Sequence, residues 1–210
     1  MLEPIQGEGG INIASKEFLM GIADLCKKNK LLLILDEVQS GMGRTGKFFA
    51  FEHFGLQPDI VTLSKGLAGG MPLGATLAQT DVAQHMVPGL HGSTFGGNPV
   101  ACAASLEVLK LLSPRALRSI QKLGETLKQD LSSFTEFPSV KVIRSFGMMT
   151  GIELHENGDP YVRLAREKGL LINCTQGNVL RFLPPYFISR SDLMRSFKIL
   201  RSVFETLNKG

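Results

Sequence analysis

The chain predicts an α/β fold with a parallel sheet, and three observations carry that reading. Residues 31–36 read Leu-Leu-Leu-Ile-Leu-Asp, a continuous apolar run that ends in a carboxylate. A run without polar alternation fits a strand covered on both faces, as parallel strands usually are. A second short run, Asp59-Ile60-Val61-Thr62-Leu63, leads directly into Ser64-Lys65-Gly66. Asp36 then falls at the edge of the sheet, where open α/β folds bind ligands.

The elements follow in order. Gly7 to Gly10 form a loop. Ser15 caps a helix through about Asn29, with Phe18, Ile22, Leu25 and Cys26 on one face. The 31–36 strand comes next, then the glycine-rich stretch Gly41-Met-Gly-Arg-Thr-Gly46 and a short aromatic helix from Phe48 to Phe54. After the 59–63 strand and the lysine loop, Gly74-Ala-Thr-Leu-Ala78 reads as a further strand, and His91 to Gly97 as a polar turn. Asn98-Pro99 opens a helix to about Leu112, with Asn as cap and Pro at the first helical position.

Ser113-Pro114 marks the expected domain boundary, separating residues 1–112 from 113–210. A helix beyond it carries Leu117, Ile120, Leu123, Leu127 and Leu131 at helical spacing. Strands are expected near 140–146, 148–154 and 170–174, with a helix near 159–168. A last helix over 191–208 carries the core stripe Leu193, Phe197, Leu200, Phe204 and Leu207.

Composition narrows the function. Hydrophobic residues make up 43% of the 210, enough for a real core. The net charge of +4, from 23 basic and 19 acidic residues, is scattered, and no basic run is longer than Lys27-Lys28. That pattern gives no nucleic-acid footprint. No segment reaches transmembrane length, and no signal-peptide pattern follows Met1. Cys26, Cys102 and Cys174 are odd in number and far apart, so neither a metal site nor a disulfide framework is expected, and the cytoplasm is the default compartment.

One acid and one amine at adjacent strand ends suit a protonated pyridine ring that bears an aldehyde. Lys65 would form a Schiff base, and Asp36 would keep the ring nitrogen protonated. Gly66, Gly69 and Gly70 beside Lys65 allow backbone to approach a ring closely. Asp36-Glu37 after an apolar strand also resembles the acid of a nucleotide hydrolase, and Gly41 to Lys47 matches the glycine-and-lysine spacing of a phosphate loop. Position 48 is Phe, however, where such a loop needs a Mg²⁺-binding hydroxyl, and the loop follows the acid strand directly. Thr94, just before a helix N-terminus, can bind phosphate or cap its own turn. Arg181, inside Val-Leu-Arg-Phe-Leu-Pro-Pro, needs an anion, which could be a substrate carboxylate or a structural salt-bridge partner. Glu3 and Glu8 read as loop carboxylates, and histidines 53, 85, 91 and 155 lack metal-ligand spacing.

Six segments together resemble the class III (ornithine-type) aminotransferases. They are Glu3-Pro-Ile-Gln-Gly-Glu-Gly-Gly10, Asp36-Glu-Val-Gln39, Gly41-Met-Gly-Arg-Thr-Gly46, Leu63-Ser-Lys-Gly66, His91-Gly-Ser-Thr-Phe-Gly-Gly-Asn98 and Leu180-Arg-Phe-Leu-Pro-Pro185. Gly169-Leu-Leu-Ile-Asn-Cys174 ahead of Val179-Leu-Arg181 is similar to the members that act on N-acetylornithine. The resemblance implies the fold-type I fold of pyridoxal 5′-phosphate (PLP) enzymes, with part of a large cofactor domain over 1–112 and a small α+β domain over 113–210. It implies Lys65 as the cofactor lysine, Asp36 against the ring nitrogen, Val38 on the ring face and Gln39 near the ring hydroxyl, with Glu37 in the same cofactor-binding segment. Thr94 would bind the phosphate in the neighbouring subunit of a homodimer, and Ser93 would touch substrate there. Arg181 would hold the substrate α-carboxylate, and Glu8 would be an acid that pairs with an arginine when the second substrate requires it.

Family members are about twice as long, and their N-terminal half supplies the main phosphate loop, an aromatic stacked on the ring and a second substrate arginine. Met1-Leu2-Glu3-Pro4 reads as the end of a strand, so Met1 is expected to be an internal methionine. The expected function is amino transfer from N-acetylornithine to 2-oxoglutarate in arginine biosynthesis. The alternatives are ornithine, succinylornithine or 4-aminobutyrate as donor, or a fragment that catalyses nothing.

Overall fold

A computed structural model describes residues 1–208 of the chain. It divides into two compact units: Met1–Ile5 with Ala14–Arg118, and Gln6–Ile13 with the chain from Ser119 onward. A short hairpin, β1 (Ile5–Gln6) and β2 (Asn12–Ile13), belongs to the second unit except for Ile5.

In the first unit, α1 (Lys16–Asn29) starts where the Ser15 hydroxyl accepts the Phe18 N–H at 3.1 Å. It ends at Lys30, whose left-handed backbone lets its N–H reach the last turn. The helix buries Leu19, with Ile22, Ala23 and Cys26 half covered on the same row, whereas Phe18 and Leu25 are about half exposed. The inward face keeps Ile22 and Cys26 of the expected one, with Leu19 and Ala23 in place of Phe18 and Leu25. Strand β3 (Ile34–Asp36) is also shorter than the apolar run that predicts it. The Leu31 N–H still belongs to the helix end, bonding the Cys26 carbonyl, and the Leu33 N–H bonds the Asp59 carboxylate at 2.6 Å, so Leu31 and Leu32 stay outside the sheet and exposed.

Strand β4 (Ile60–Leu63) lies parallel to β3, with Asp36 opposite Thr62, and β5 (Ala75–Ala78) closes the three-stranded sheet antiparallel to β4. On the other side of β3, Leu2 makes an isolated parallel bridge to Leu35, which accounts for the strand-like character of the first residues. A single helical turn, α2 (Thr80–Ala83), leads into a largely exposed stretch up to residue 100. Helix α3 (Pro99–Leu111) begins as predicted, because the Asn98 side-chain oxygen Oδ1 accepts the N–H groups of Val100 and Ala101.

Helix α4 (Pro114–Ser132) carries the chain into the second unit and buries Ile120, Gly124, Leu127 and Leu131 there. A Cβ on Gly124 would stand 2.6 Å from the Gly147 backbone, so helix and turn come this close only because residue 124 is glycine. The antiparallel sheet has the order β6 (Val140–Phe146), β7 (Met149–Leu154), β9 (Val179–Phe182), β8 (Asn173–Thr175), and α5 (Asp159–Glu167) connects β7 to β8. The third strand begins at Asn173 and not near 170, and β9 contains Arg181. Helix α6 (Arg190–Leu207) buries Leu193, Phe197, Leu200 and Phe204 against Leu127 and Leu131, while Leu207, the last residue of the expected stripe, is 37% exposed.

Candidate active site

Asp36 and Lys65 occupy the carboxyl ends of neighbouring parallel strands. Asp36 closes β3, and Lys65 lies two residues beyond β4. The half-buried Asp36 accepts the Val38 N–H at 3.0 Å, a turn that carries the chain off the strand end. Lys65 begins a short 3-10 turn with a left-handed backbone, φ 50°, unusual for a residue with a side chain, and its side chain is exposed. The Thr62 hydroxyl, on the residue in register with Asp36, is buried and has no hydrogen-bond partner among the described residues. Unpaired polar atoms of this kind call for an explanation, and a ligand group is one. Nothing in the apolar 59–63 run marked Thr62 as special.

Burial alternates along this segment: Leu35 inside, Asp36 half-buried, Glu37 inside. Glu37 therefore does not join the cofactor-facing group in which the sequence placed it. Its carboxylate is 1% exposed and accepts the Ser40 hydroxyl at 2.9 Å and the N–H groups of Ala50 and Phe51 at 2.9 and 2.8 Å. It caps the 3-10 turn Ala50–His53, and burial pushes its carboxyl pKa up despite those donors. Val38 and Gln39 are half-buried next to it. The Gly41–Gly46 loop packs down onto this carboxylate's own backbone. A Cβ on Gly41 would meet the Glu37 carbonyl at 2.7 Å and Leu63 at 2.8 Å. Lys47 donates to the Glu52 carbonyl, so the lysine of the phosphate-loop spacing is engaged with the protein itself.

Ser93 and Thr94 are both exposed, in the stretch before α3. The Ser93 hydroxyl accepts the Gly96 N–H at 3.0 Å, and no hydrogen bond joins either residue to Asp36 or Lys65 among the described residues.

In the second unit the structure brings Arg181 and Glu8 together, 173 positions apart in sequence. Arg181 Nη1 lies 2.7 Å from the Glu8 carboxylate and also donates to the Gly7 carbonyl at 3.1 Å. Its Nε donates to the Asn173 side-chain oxygen at 3.3 Å, across the β8–β9 ladder. Of the two partners the sequence allowed for Arg181, the one in contact is a protein carboxylate. Arg181 and Asn173 also border a cavity of about 480 Å³ whose other walls, among them Leu170, Phe182 and Phe197, are mostly apolar. No group of three or more His, Cys, Asp or Glu among the described residues is placed to hold a metal ion.

The sequence profile of the class III aminotransferases matches residues 1–204. The chain belongs to that family. An acetylornithine aminotransferase from Aquifex aeolicus is 48% identical over 203 residues, which cover 97% of this chain and 53% of that protein. One from Methanocaldococcus jannaschii is 44% identical over 212 residues, covering 100% of this chain and 53% of its own. The ornithine aminotransferase of Toxoplasma gondii, in a structure whose description records partial occupancy of PLP at the active site, superposes with a TM-score of 0.91 at 35% identity. The superposition covers 97% of this chain and 50% of that one. The chain thus spans about half the length of the class III relatives it matches, and it shares their fold-type I architecture.

Proposed function

We propose that this chain carries the ring acid, the lysine and one substrate arginine of a PLP-dependent transaminase that moves the amino group of N-acetylornithine to 2-oxoglutarate in arginine biosynthesis. The observation that carries the reading is the placement of Asp36 and Lys65 at the ends of adjacent parallel strands, beside the unpartnered Thr62 hydroxyl. A carboxylate, an amine and a spare hydroxyl fit a protonated pyridine ring with a carbonyl substituent, so the residues present suit PLP. When bound, PLP supplies an aldehyde that condenses with amines and a ring that takes up the electron pair left when the substrate Cα loses its proton.

Asp36 holds the proton on the ring nitrogen. The Lys65 amine takes the proton from Cα and returns it at the cofactor C4′ carbon, as general base and then acid. That task needs a partly desolvated amine, and Lys65 is exposed among the described residues. We assign the missing cover to the partner subunit of a homodimer, with Thr94 and Ser93 reaching the neighbouring site to bind phosphate and substrate. Arg181 receives the substrate α-carboxylate in exchange for Glu8, which keeps the guanidinium paired when no substrate is present. We divide the chain into a large cofactor domain over 1–112 and a small domain from 113, and we place the protein in the cytoplasm on its three scattered cysteines.

The donor rests on the two relatives named acetylornithine aminotransferase. Likeness to the Toxoplasma gondii enzyme favours ornithine as the second reading. Assay of a full-length, PLP-loaded form with N-acetylornithine, ornithine, succinylornithine and 4-aminobutyrate decides between them. Preference for ornithine sinks the first reading, and absence of PLP absorbance in the purified 210-residue chain favours a non-catalytic fragment.

A further inference from the structure

Four consecutive backbone carbonyls in the β1–β2 hairpin each accept a hydrogen bond from a different side chain. Arg181 donates to Gly7 at 3.1 Å, Gln176 to Glu8 at 3.1 Å, Asn12 to Gly9 at 2.8 Å and Arg144 to Gly10 at 3.0 Å. Exposed turns ordinarily leave such carbonyls to water. Ile11, the next residue, is fully buried with a left-handed backbone, φ 56°, a conformation that a β-branched residue adopts only when its surroundings impose it. The segment is thus held along its whole backbone, while the Glu8 side chain at its centre is 67% exposed and meets Arg181 at 2.7 Å.

The donors are themselves fixed. Arg144 is 2.6 Å from Glu153, which Lys141 also meets at 2.7 Å, and these two cations hold the Glu153 carboxyl pKa below its ordinary value. Gln176 sits at a β-turn with φ 53°, a strained position that aims its amide at the loop.

We infer that Gln176 and Arg144 are positioning residues that mount the Glu8 backbone so that its carboxylate competes with substrate for Arg181. The inference rests on the exchange of Glu8 for a substrate carboxylate proposed above. A rigid mount raises the local concentration of the Glu8 carboxylate at the guanidinium, and loosening it lets an external carboxylate win more often.

The test is calorimetric titration of the full-length, PLP-loaded protein with glutarate, a plain dicarboxylate, in four forms: unmodified, Glu8→Gln, Gln176→Met and Arg144→Met. Glu8→Gln should tighten glutarate most, and Gln176→Met and Arg144→Met should each tighten it severalfold. Combining Gln176→Met with Glu8→Gln should add nothing, because a mount for an absent carboxylate has no effect. If Glu8→Gln fails to tighten glutarate, the exchange itself is wrong and the mount falls with it. If Glu8→Gln tightens glutarate but Gln176→Met and Arg144→Met leave it unchanged or weaker, the exchange stands and the mount is overturned. A Gln176→Met effect that persists in the Glu8→Gln background also overturns it, because the residue then acts through the fold alone. Gln176 lies in an exposed contact, so its variant stays informative even if Arg144→Met does not fold.

Discussion

Arg181 and Glu8 meet at 2.7 Å with very unequal burial: the arginine side chain is 12% exposed and the glutamate 67%. The cation is also held by Gly7 and Asn173, while the acid reaches it from a largely exposed side chain. In the proposed exchange, a carboxylate arriving from solution would displace an exposed partner and meet a largely buried guanidinium. Lysine cannot reproduce the planar fork that holds Gly7, Glu8 and Asn173 together. Arg181→Lys should raise KM for both amino donor and 2-oxoglutarate by about tenfold or more, ~1.4 kcal/mol each, with cofactor content unchanged. Steady-state kinetics with each substrate varied will check this. An effect on one substrate alone would assign Arg181 to one half of the reaction.

Asp36→Asn keeps the shape of the β3 end and its acceptor for the Val38 N–H but removes the charge. Without that charge the ring nitrogen loses its proton. Turnover should fall by about two to four orders of magnitude, each order being ~1.4 kcal/mol of barrier, while PLP remains attached. Near-normal turnover would show that the acid serves another purpose.

Borohydride reduction of the PLP-loaded protein should fix the cofactor covalently, and peptide mapping should find the label on Lys65. Lys47 is the competing amine, since it too lies next to glycines, at the end of the Gly41–Gly46 loop. Its ammonium is committed to the Glu52 carbonyl, so a label there would contradict the assignment.

Glu37 should govern stability. Glu37→Gln sets an amide NH₂ against backbone N–H groups that need acceptors, at a cost of about 1–3 kcal/mol. Burial raises the folded pKa above the ordinary 4.5, so the folded chain binds the proton more tightly than the unfolded chain does. The stability this gives is complete below 4.5 and is lost as pH rises through the raised value. Denaturant melts of wild type and Glu37→Gln across that window should converge as pH rises, because only the wild type loses stability there. Parallel curves would place the raised pKa elsewhere.

The 210-residue chain by itself should self-associate and show no transaminase activity. Phe18, Leu25, Leu31 and Leu32 leave apolar surface exposed on the first unit, and Met86, Val87, Leu90 and Phe95 add more in the stretch before α3. Surfaces of that kind seek partners. Sedimentation velocity and an N-acetylornithine assay test both halves of the expectation, and a monodisperse active monomer would refute it.

Much of the fold was legible because its signals are local. Ser15 and Asn98 announce their helices through hydrogen bonds spanning two or three residues, and the Leu193-to-Phe204 stripe needs only helical periodicity. The 31–36 run misled at its first two leucines because a long-range bond, Asp59 to the Leu33 N–H, decides where the ladder begins. In the site, Asp36 and Lys65 could be read as neighbours because strand ends declare themselves. The partner of Arg181 could not be read from the residues themselves, since Glu8 lies 173 residues away; only the family resemblance implied that Glu8 pairs with an arginine, without saying which. Glu37 looked like a companion of Asp36 because adjacency in sequence does not say which side of the chain each residue faces.

That opposition between Asp36 and Glu37 has a consequence for how the protein tolerates error. Strand pleating sends adjacent side chains to opposite sides. A one-residue deletion or insertion inside β3 would offer the glutamate to the ligand and the aspartate to the interior. The shorter acid would fall short of Ala50 and Phe51, and the longer one would crowd the ring. Point substitutions at these two positions should separate cleanly into chemical and folding defects, whereas an indel at the same place should inflict both at once.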